Sequence, residues 1–168
     1  MPSGRALDRS LSSIAVGPCQ TPCMAVDVLT EIEIERPRDE VFAFAGDPSN
    51  ATAWYKNIKA VGWETPPPAV IGSRLRFSAR FLGRALNYTY EVREIQLGSR
   101  FVMATAQGPF PMETTYTWED AADGATRMTL RNRGEPSGFV AVTAPVMIRA
   151  MRKANDADLR RLKALLER

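Results

Sequence analysis

Apolar and polar residues alternate in short runs from Val26 to Arg133, and beyond Ser137 the period changes. In Val26–Glu35, the residues Val26, Val28, Thr30, Ile32 and Ile34 share one face, and Asp27, Glu31, Glu33 and Glu35 share the other. This is the two-residue repeat of a half-buried strand. The same repeat groups Leu75, Phe77, Ala79 and Phe81 in Arg74–Leu82, and Leu86, Tyr88, Tyr90 and Val92 in Ala85–Gln96. It groups Phe101, Met103 and Thr105 in Arg100–Gln107, and Met112, Thr114, Tyr116 and Trp118 in Phe110–Glu119. Thr126, Met128, Leu130 and Asn132 follow in Ala125–Arg133. Ile58–Thr65 is a weaker strand, with Ile58, Ala60 and Gly62 set against Lys59, Val61 and Trp63. Turn formers punctuate the series at Gly83-Arg84, Leu97-Gly98, Gly108-Pro109 and Asp123-Gly124, the last a strong hairpin signal. Pro66-Pro67-Pro68 cannot join a ladder and predicts a loop.

Two segments carry a helical period instead. After the first strand, Pro37 suits a first helical turn, and Asp39 and Glu40 favour its positive end. Val41, Phe42, Phe44 and Ala45 form the apolar side of a short helix ending at Gly46, and Asp47-Pro48-Ser49 starts a second through Trp54 and Tyr55. In the last thirty residues Ala144, Ile148, Met151, Asn155, Leu159, Leu162 and Leu166 recur at spacings of three and four, so they lie on one face of a helix. A helix from Phe139 to Glu167 would run roughly 40 Å. Pro145 inside that pattern predicts a kink near Ala141, or a restart capped by Thr143. So long an apolar stripe needs a broad partner, and the strands supply one. Seven strands joined by hairpins predict antiparallel pairing, and their segregation from the closing helix predicts an α+β fold.

Composition narrows the chemistry. The chain of 168 residues, 45% hydrophobic, suffices for one domain with a sizeable core. Residues 1–25 show neither period and are expected to form a disordered tail, or an extension ahead of Met24 as the initiator; the domain is expected over 26–168. There is no histidine, so Ser-His-Asp, Cys-His and His-ligated metal chemistry are excluded. Cys19 and Cys23, both in the tail, exclude a four-cysteine metal site. Nothing in the pattern points to a metal or a cofactor. The net charge of +3 is spread without a Lys/Arg run, which speaks against a nucleic-acid partner. No apolar run approaches the ~18 residues of a membrane span. A cytoplasmic location is expected, and a homodimer stays open.

The order of one strand, two short helices, six strands and a long last helix resembles the helix-grip fold of the START/SRPBCC superfamily, specifically its small polyketide cyclase/dehydrase-type members. The likeness rests on Glu31–Ile58 (EIEIERPRDEVFAFAGDPSNATAWYKNI), Gly72, the REIQLGSRF step at Arg93–Phe101, DGATRMTL at Asp123–Leu130 and DLRRLKALLE at Asp158–Glu167. It covers Val26 to the end. It implies a curved antiparallel sheet gripping the helix, with a deep cavity between them that takes apolar small molecules. It implies no catalytic residues, because activities differ among proteins on this scaffold.

The candidate ligand-contacting residues are Phe77, Phe81, Tyr88, Tyr90, Met103, Met112, Tyr116, Met128, Met147, Met151 and Asn155. Most aromatic and methionine side chains on such faces fill a core. Yet three tyrosines, two threonines and two asparagines on the same faces are more polar groups than a solid core admits, since each needs a partner once buried. An apolar wall with a few polar groups is the make-up of a ligand pocket. Asn155 interrupts the apolar stripe; it either points into the cavity beside Tyr88 or Tyr90, or pairs with a strand, or yields its place to Ala154. The carboxylates Glu91, Glu94, Glu113 and Glu119 alternate outward, so no carboxylate pair converges on the interior. Trp54 reads as a seal between the short helices and the sheet, or as a gate. Three functions fit: binding or carriage of an apolar lipid, quinone or polyketide-like molecule; a polyketide cyclase/dehydratase-type enzyme; or a protein-interaction module.

Overall fold

The computed structural model describes residues 26–81, 83–135 and 144–168. Seven strands form one antiparallel sheet: β1 (Val26–Ile34), β2 (Ile58–Trp63), β3 (Arg74–Phe81), β4 (Arg84–Gln96), β5 (Arg100–Gln107), β6 (Met112–Asp120) and β7 (Thr126–Gly134). Their order across the sheet is β1-β7-β6-β5-β4-β3-β2. Consecutive hairpins place β2 to β7 side by side, and β1 closes the far edge against β7, with Val26 opposite Gly134 and Ile34 opposite Thr126. The chain must therefore cross from one edge of the sheet to the other between β1 and β2. It does so through α1 (Arg38–Ala45), a single 3-10 turn at Pro48–Asn50, and α2 (Ala51–Trp54). The Asp47 carboxylate accepts from the Ser49 N–H at 2.8 Å and starts the second of these segments. The last helix, α3 (Ala144–Leu166), packs on β1 and α2. This is the expected α+β helix-grip architecture.

The C-terminal end of α3 is fixed by polar contacts as well as by its apolar stripe. The Arg36 guanidinium donates to the Leu166 carbonyl at 2.7 Å, Lys163 Nζ donates to the Glu33 carbonyl at 2.8 Å, and the Glu35 N–H donates to Glu167 Oε1 at 2.6 Å. The main core gathers Trp54, Trp118, Leu75, Met128, Leu130, Leu159 and Leu162. A second, smaller cluster joins Val26, Val28 and Met147, with Phe81, Phe110 and Met151 packed against it. Burying Leu159 and Leu162 alone is worth about 1.5–3 kcal/mol each, enough to hold the helix against the sheet.

Two expectations change. In β2, Ile58 lies opposite Ala79 but Ala60 lies opposite Ser78, so Lys59 is an extra residue and the alternation flips there. Ile58, Val61 and Trp63 thus face the core together, where strict alternation had separated them. Met128 sits deep in the main core opposite Ile32 and Trp118, and is not among the residues that line the cavity. The described part of the last helix begins at Ala144, with Pro145 as its second residue, and the expected start at Phe139 lies outside the described residues. The kink expected near Ala141 and the tail over 1–25 lie outside the described residues.

A candidate ligand cavity beneath the long helix

A cavity of about 180 Å³ opens between the sheet and α3, lined by members of both core clusters. The sheet supplies its floor through alternate residues: Phe77 and Phe81 from β3, Tyr88 and Tyr90 from β4, Met103 and Thr105 from β5, Met112, Thr114 and Tyr116 from β6, and Asn132 from β7. Met147, Met151, Ala154, Asn155 and Asp158 form the roof on α3, and Trp54, the last residue of α2, and Tyr55 after it form an end wall. Ten of the eleven expected residues therefore meet at one space, and Met128 does not.

Aromatic rings make up much of the lining. Phe77 stacks on Tyr88 with centroids 5.5 Å apart, and Tyr88 tilts against Tyr90 at 5.1 Å. At the α2 end Trp54 stacks on Tyr55 at 3.9 Å and presents its edge to Tyr116 at 6.3 Å. Gly108 permits the close approach of the β5–β6 connection to this floor. A Cβ there would stand 2.8 Å from Thr105 Cγ2 and 3.2 Å from Tyr88 Cβ.

The polar groups fall into two systems. In the first, Asn155 Nδ2 donates to Asn132 Oδ1 at 2.7 Å, and Asn132 Nδ2 donates to Thr114 Oγ1 at 2.9 Å. Thr114 Oγ1 in turn shares a proton with the Tyr90 hydroxyl at 3.1 Å. This chain joins the helix to the sheet, and its partner for Asn155 is a side chain, not a strand backbone. Both Ala154 and Asn155 reach the cavity, so neither displaces the other.

The second system lies at the α2 end. The Tyr55 and Tyr116 hydroxyls bond each other at 2.7 Å. Asp158, only 2% exposed, accepts the Lys56 N–H at 2.9 Å, its one hydrogen bond among the described residues. Burial raises the carboxyl of Asp158 above the usual range, partly offset by the Lys56 N–H and by the charges of Arg161 and Lys56. Burial likewise pushes Tyr55, Tyr88, Tyr90 and Tyr116 upward, so all four keep their protons at neutral pH. Asp158 lines the same cavity as that pair, hydrogen-bonded to the residue that follows Tyr55, and its charge adds to the rise at Tyr55 and Tyr116.

Asp158 and Tyr55 were not among the expected site residues. The signal for Asp158 was present: it follows Asn155 by three positions, a rotation of about 300°, and so shares its face. Among the described residues the cavity wall holds two carboxylates, the buried Asp158 and the exposed Asp47 at the rim. Among the described residues no cluster of histidine, cysteine or acidic side chains could hold a metal ion, and no helix is long and apolar enough to cross a membrane.

Residues 25–167 match the family model described as polyketide cyclase / dehydrase and lipid transport. No curated protein matches the sequence. Among solved structures, TTHA0849 from Thermus thermophilus superposes with a TM-score of 0.72 at 19% identity, covering 83% of this chain and 96% of its own. The Zhui aromatase/cyclase from a Streptomyces species gives 0.70 at 14% identity, covering 84% and 93%. A START superfamily protein from Mycobacterium smegmatis gives 0.62 at 15% identity, covering 81% and 98%. At these identities the three structures share the fold.

Proposed function

The chain belongs to the polyketide cyclase / dehydrase and lipid transport family, and on that footing we propose that it binds one small, largely apolar molecule in the cavity beneath α3. The observation that carries this reading is the make-up of the wall: aromatic and methionine side chains around about 180 Å³, with hydroxyl, amide and carboxyl groups set among them. Aromatic and thioether groups supply apolar contact that adapts to shape, and the few polar groups fix orientation. Native mass spectrometry of the purified protein should show a retained small molecule or, after delipidation, uptake of a hydrophobic dye at micromolar concentration. Met112→Trp fills the floor and should abolish uptake while the far-UV spectrum stays native. Unchanged dye binding in that variant would place the dye elsewhere and remove the support for a cavity ligand.

A second reading, a cyclase or dehydratase, is favoured by Asp158. A buried carboxylate with a raised pKa, beside two neutral tyrosine hydroxyls, is suited to taking a proton from carbon next to a carbonyl while the hydroxyls hold the oxygen. Loss of water from a β-hydroxy ketone, followed by absorbance, tests it. Asp158→Asn should abolish turnover and retain binding; no turnover in the wild type leaves the binding reading alone.

A further inference from the structure

The cavity has a charge character as well as a shape. Among the described residues its lining contains no lysine and no arginine, and its carboxylates are the buried Asp158 and the exposed Asp47 at the rim. A ligand carboxylate or phosphate would enter without a counter-charge and would meet Asp158. Lys56 and Arg161 do act on Asp158 from outside, but both side chains are exposed and neither lines the space. Asp158 shares the cavity wall with Tyr55 and Tyr116 and is hydrogen-bonded to the N–H of Lys56, the residue after Tyr55; Trp54 stacks on Tyr55 and makes a T-shaped pair with Tyr116. A carboxylate set in the same wall as aromatic rings suits an ammonium group, which gains an ion pair from the one and attraction to the ring π-systems from the others. Among the described residues Asp158 has one hydrogen-bond donor, the Lys56 N–H, and a carboxylate can accept more.

Size limits the rest of the ligand. An apolar cavity of about 150 Å³ takes benzene. The 180 Å³ here suits one ring and a short side chain. The ring has a natural place against the wall that Phe77, Tyr88 and Tyr90 form, their own rings packed together with centroids within 5.7 Å of one another.

We propose that the cavity is a site for a one-ring arylalkyl amine, its ammonium group against Asp158 and its ring packed on the wall formed by Phe77, Tyr88 and Tyr90. The proposal rests on the cavity-binding reading above and adds the charge and size of the occupant. It is tested with three probes of matched size, titrated at pH 7 by calorimetry: phenethylamine, 2-phenylethanol and 3-phenylpropionate. The amine should bind tightest, the alcohol at least about tenfold more weakly, and the carboxylate not measurably. Asp158→Asn keeps an acceptor for Lys56 and should lower amine affinity to that of the alcohol without altering the alcohol. Equal or tighter binding of alcohol or carboxylate overturns the proposal, as does an Asp158→Asn protein that still prefers the amine. If that variant does not fold, the wild-type series decides alone. If no ring probe binds but a hydrophobic dye does, and Met112→Trp blocks it, the amine proposal fails while the cavity reading stands. If neither probes nor dye bind, both fail.

Discussion

Replacing Asn155 by leucine separates a structural role from a ligand-anchoring one. Read from the helix alone, Asn155 is a polar intruder in an apolar stripe, and leucine should leave stability equal or raise it. The structure reverses the expectation. Asn155 Nδ2 donates at 2.7 Å to Asn132 Oδ1, and both residues are buried. Leucine gains apolar contact with its neighbours but leaves Asn132 Oδ1 without its donor. An orphaned buried acceptor costs about 1–3 kcal/mol, whereas replacing both partners by apolar groups is close to neutral. Asn155→Leu should therefore lose about 1–3 kcal/mol in urea unfolding. For a domain of this size each kcal/mol is roughly 2–4 °C in midpoint, so a fall of several degrees is expected. Asn155→Leu combined with Asn132→Leu should recover part of that loss, giving a coupling of about 0.5–3 kcal/mol in the double-mutant cycle. Recovery is incomplete because Asn132 also donates to Thr114. A single variant as stable as the wild type, or a cycle with no coupling, would show that Asn132 Oδ1 finds another donor and that the chain does not bind helix to sheet.

Other substitutions probe separate parts of the argument. Leu162→Ala removes a fully buried side chain from the α3 stripe and should cost about 2–5 kcal/mol, while Arg160→Ala, on the exposed face, should cost under about 0.5 kcal/mol; equal losses in chemical denaturation would mean the stripe is misassigned. Asp158→Asn tests linkage: the folded carboxyl lies above its unfolded value because burial disfavours the charge, so its contribution is present below about pH 4 and is lost as pH rises through the folded pKa. Measured across pH 4 to 7, the asparagine variant should gain on the wild type as pH increases, and a variant weaker at pH 7 would make the carboxylate a structural anchor. Gly108→Ala forces a methyl group within 2.8 Å of Thr105 Cγ2 and against Tyr88, and should cost about 1–3 kcal/mol by thermal melt and weaken dye uptake; a neutral result would mean the connection yields freely.

The strands were legible because a sheet with one buried face writes a period of two, and Tyr88, Tyr90, Met103 and Tyr116 could be placed on the cavity side from that alone. Alternation does not say where along the sheet a residue falls. Met128 has the right face but lies where Ile32 and Trp118 flank it, so it packs in the core and not at the opening. The bulge at Lys59 is a backbone event set by pairing with β3, and no pattern within β2 announces it. Asp158 was hidden for a different reason. A charged residue beside Asp156 and Arg160 reads as part of a solvated face, and only the phase carried from Asn155 puts it inside. Its partner, the Lys56 N–H, is 102 positions away in sequence and could not be inferred from either segment.

The two polar systems of the cavity point in different directions, and unused bonding capacity distinguishes them. Asn155, Asn132, Thr114 and Tyr90 are connected to one another across helix and sheet, so their burial is compensated by the fold itself. Such a chain specifies how α3 sits, and a ligand that disturbed it would give up what it gained. Asp158 is the opposite case. A carboxylate taken out of water and given one backbone N–H is under-compensated, and an asparagine could occupy its place at no evident structural loss. Tyr88 belongs with it: its hydroxyl has no hydrogen-bond partner among the described residues, although its ring is held between Phe77 and Tyr90. Groups that keep donors or acceptors unspent inside an aromatic cavity lower the stability of the empty protein, and a bound molecule that engages them returns that free energy as affinity. The end of the cavity at Asp158 is therefore where a ligand's polar group gains most, and the Asn155 chain is the frame that keeps that end in place.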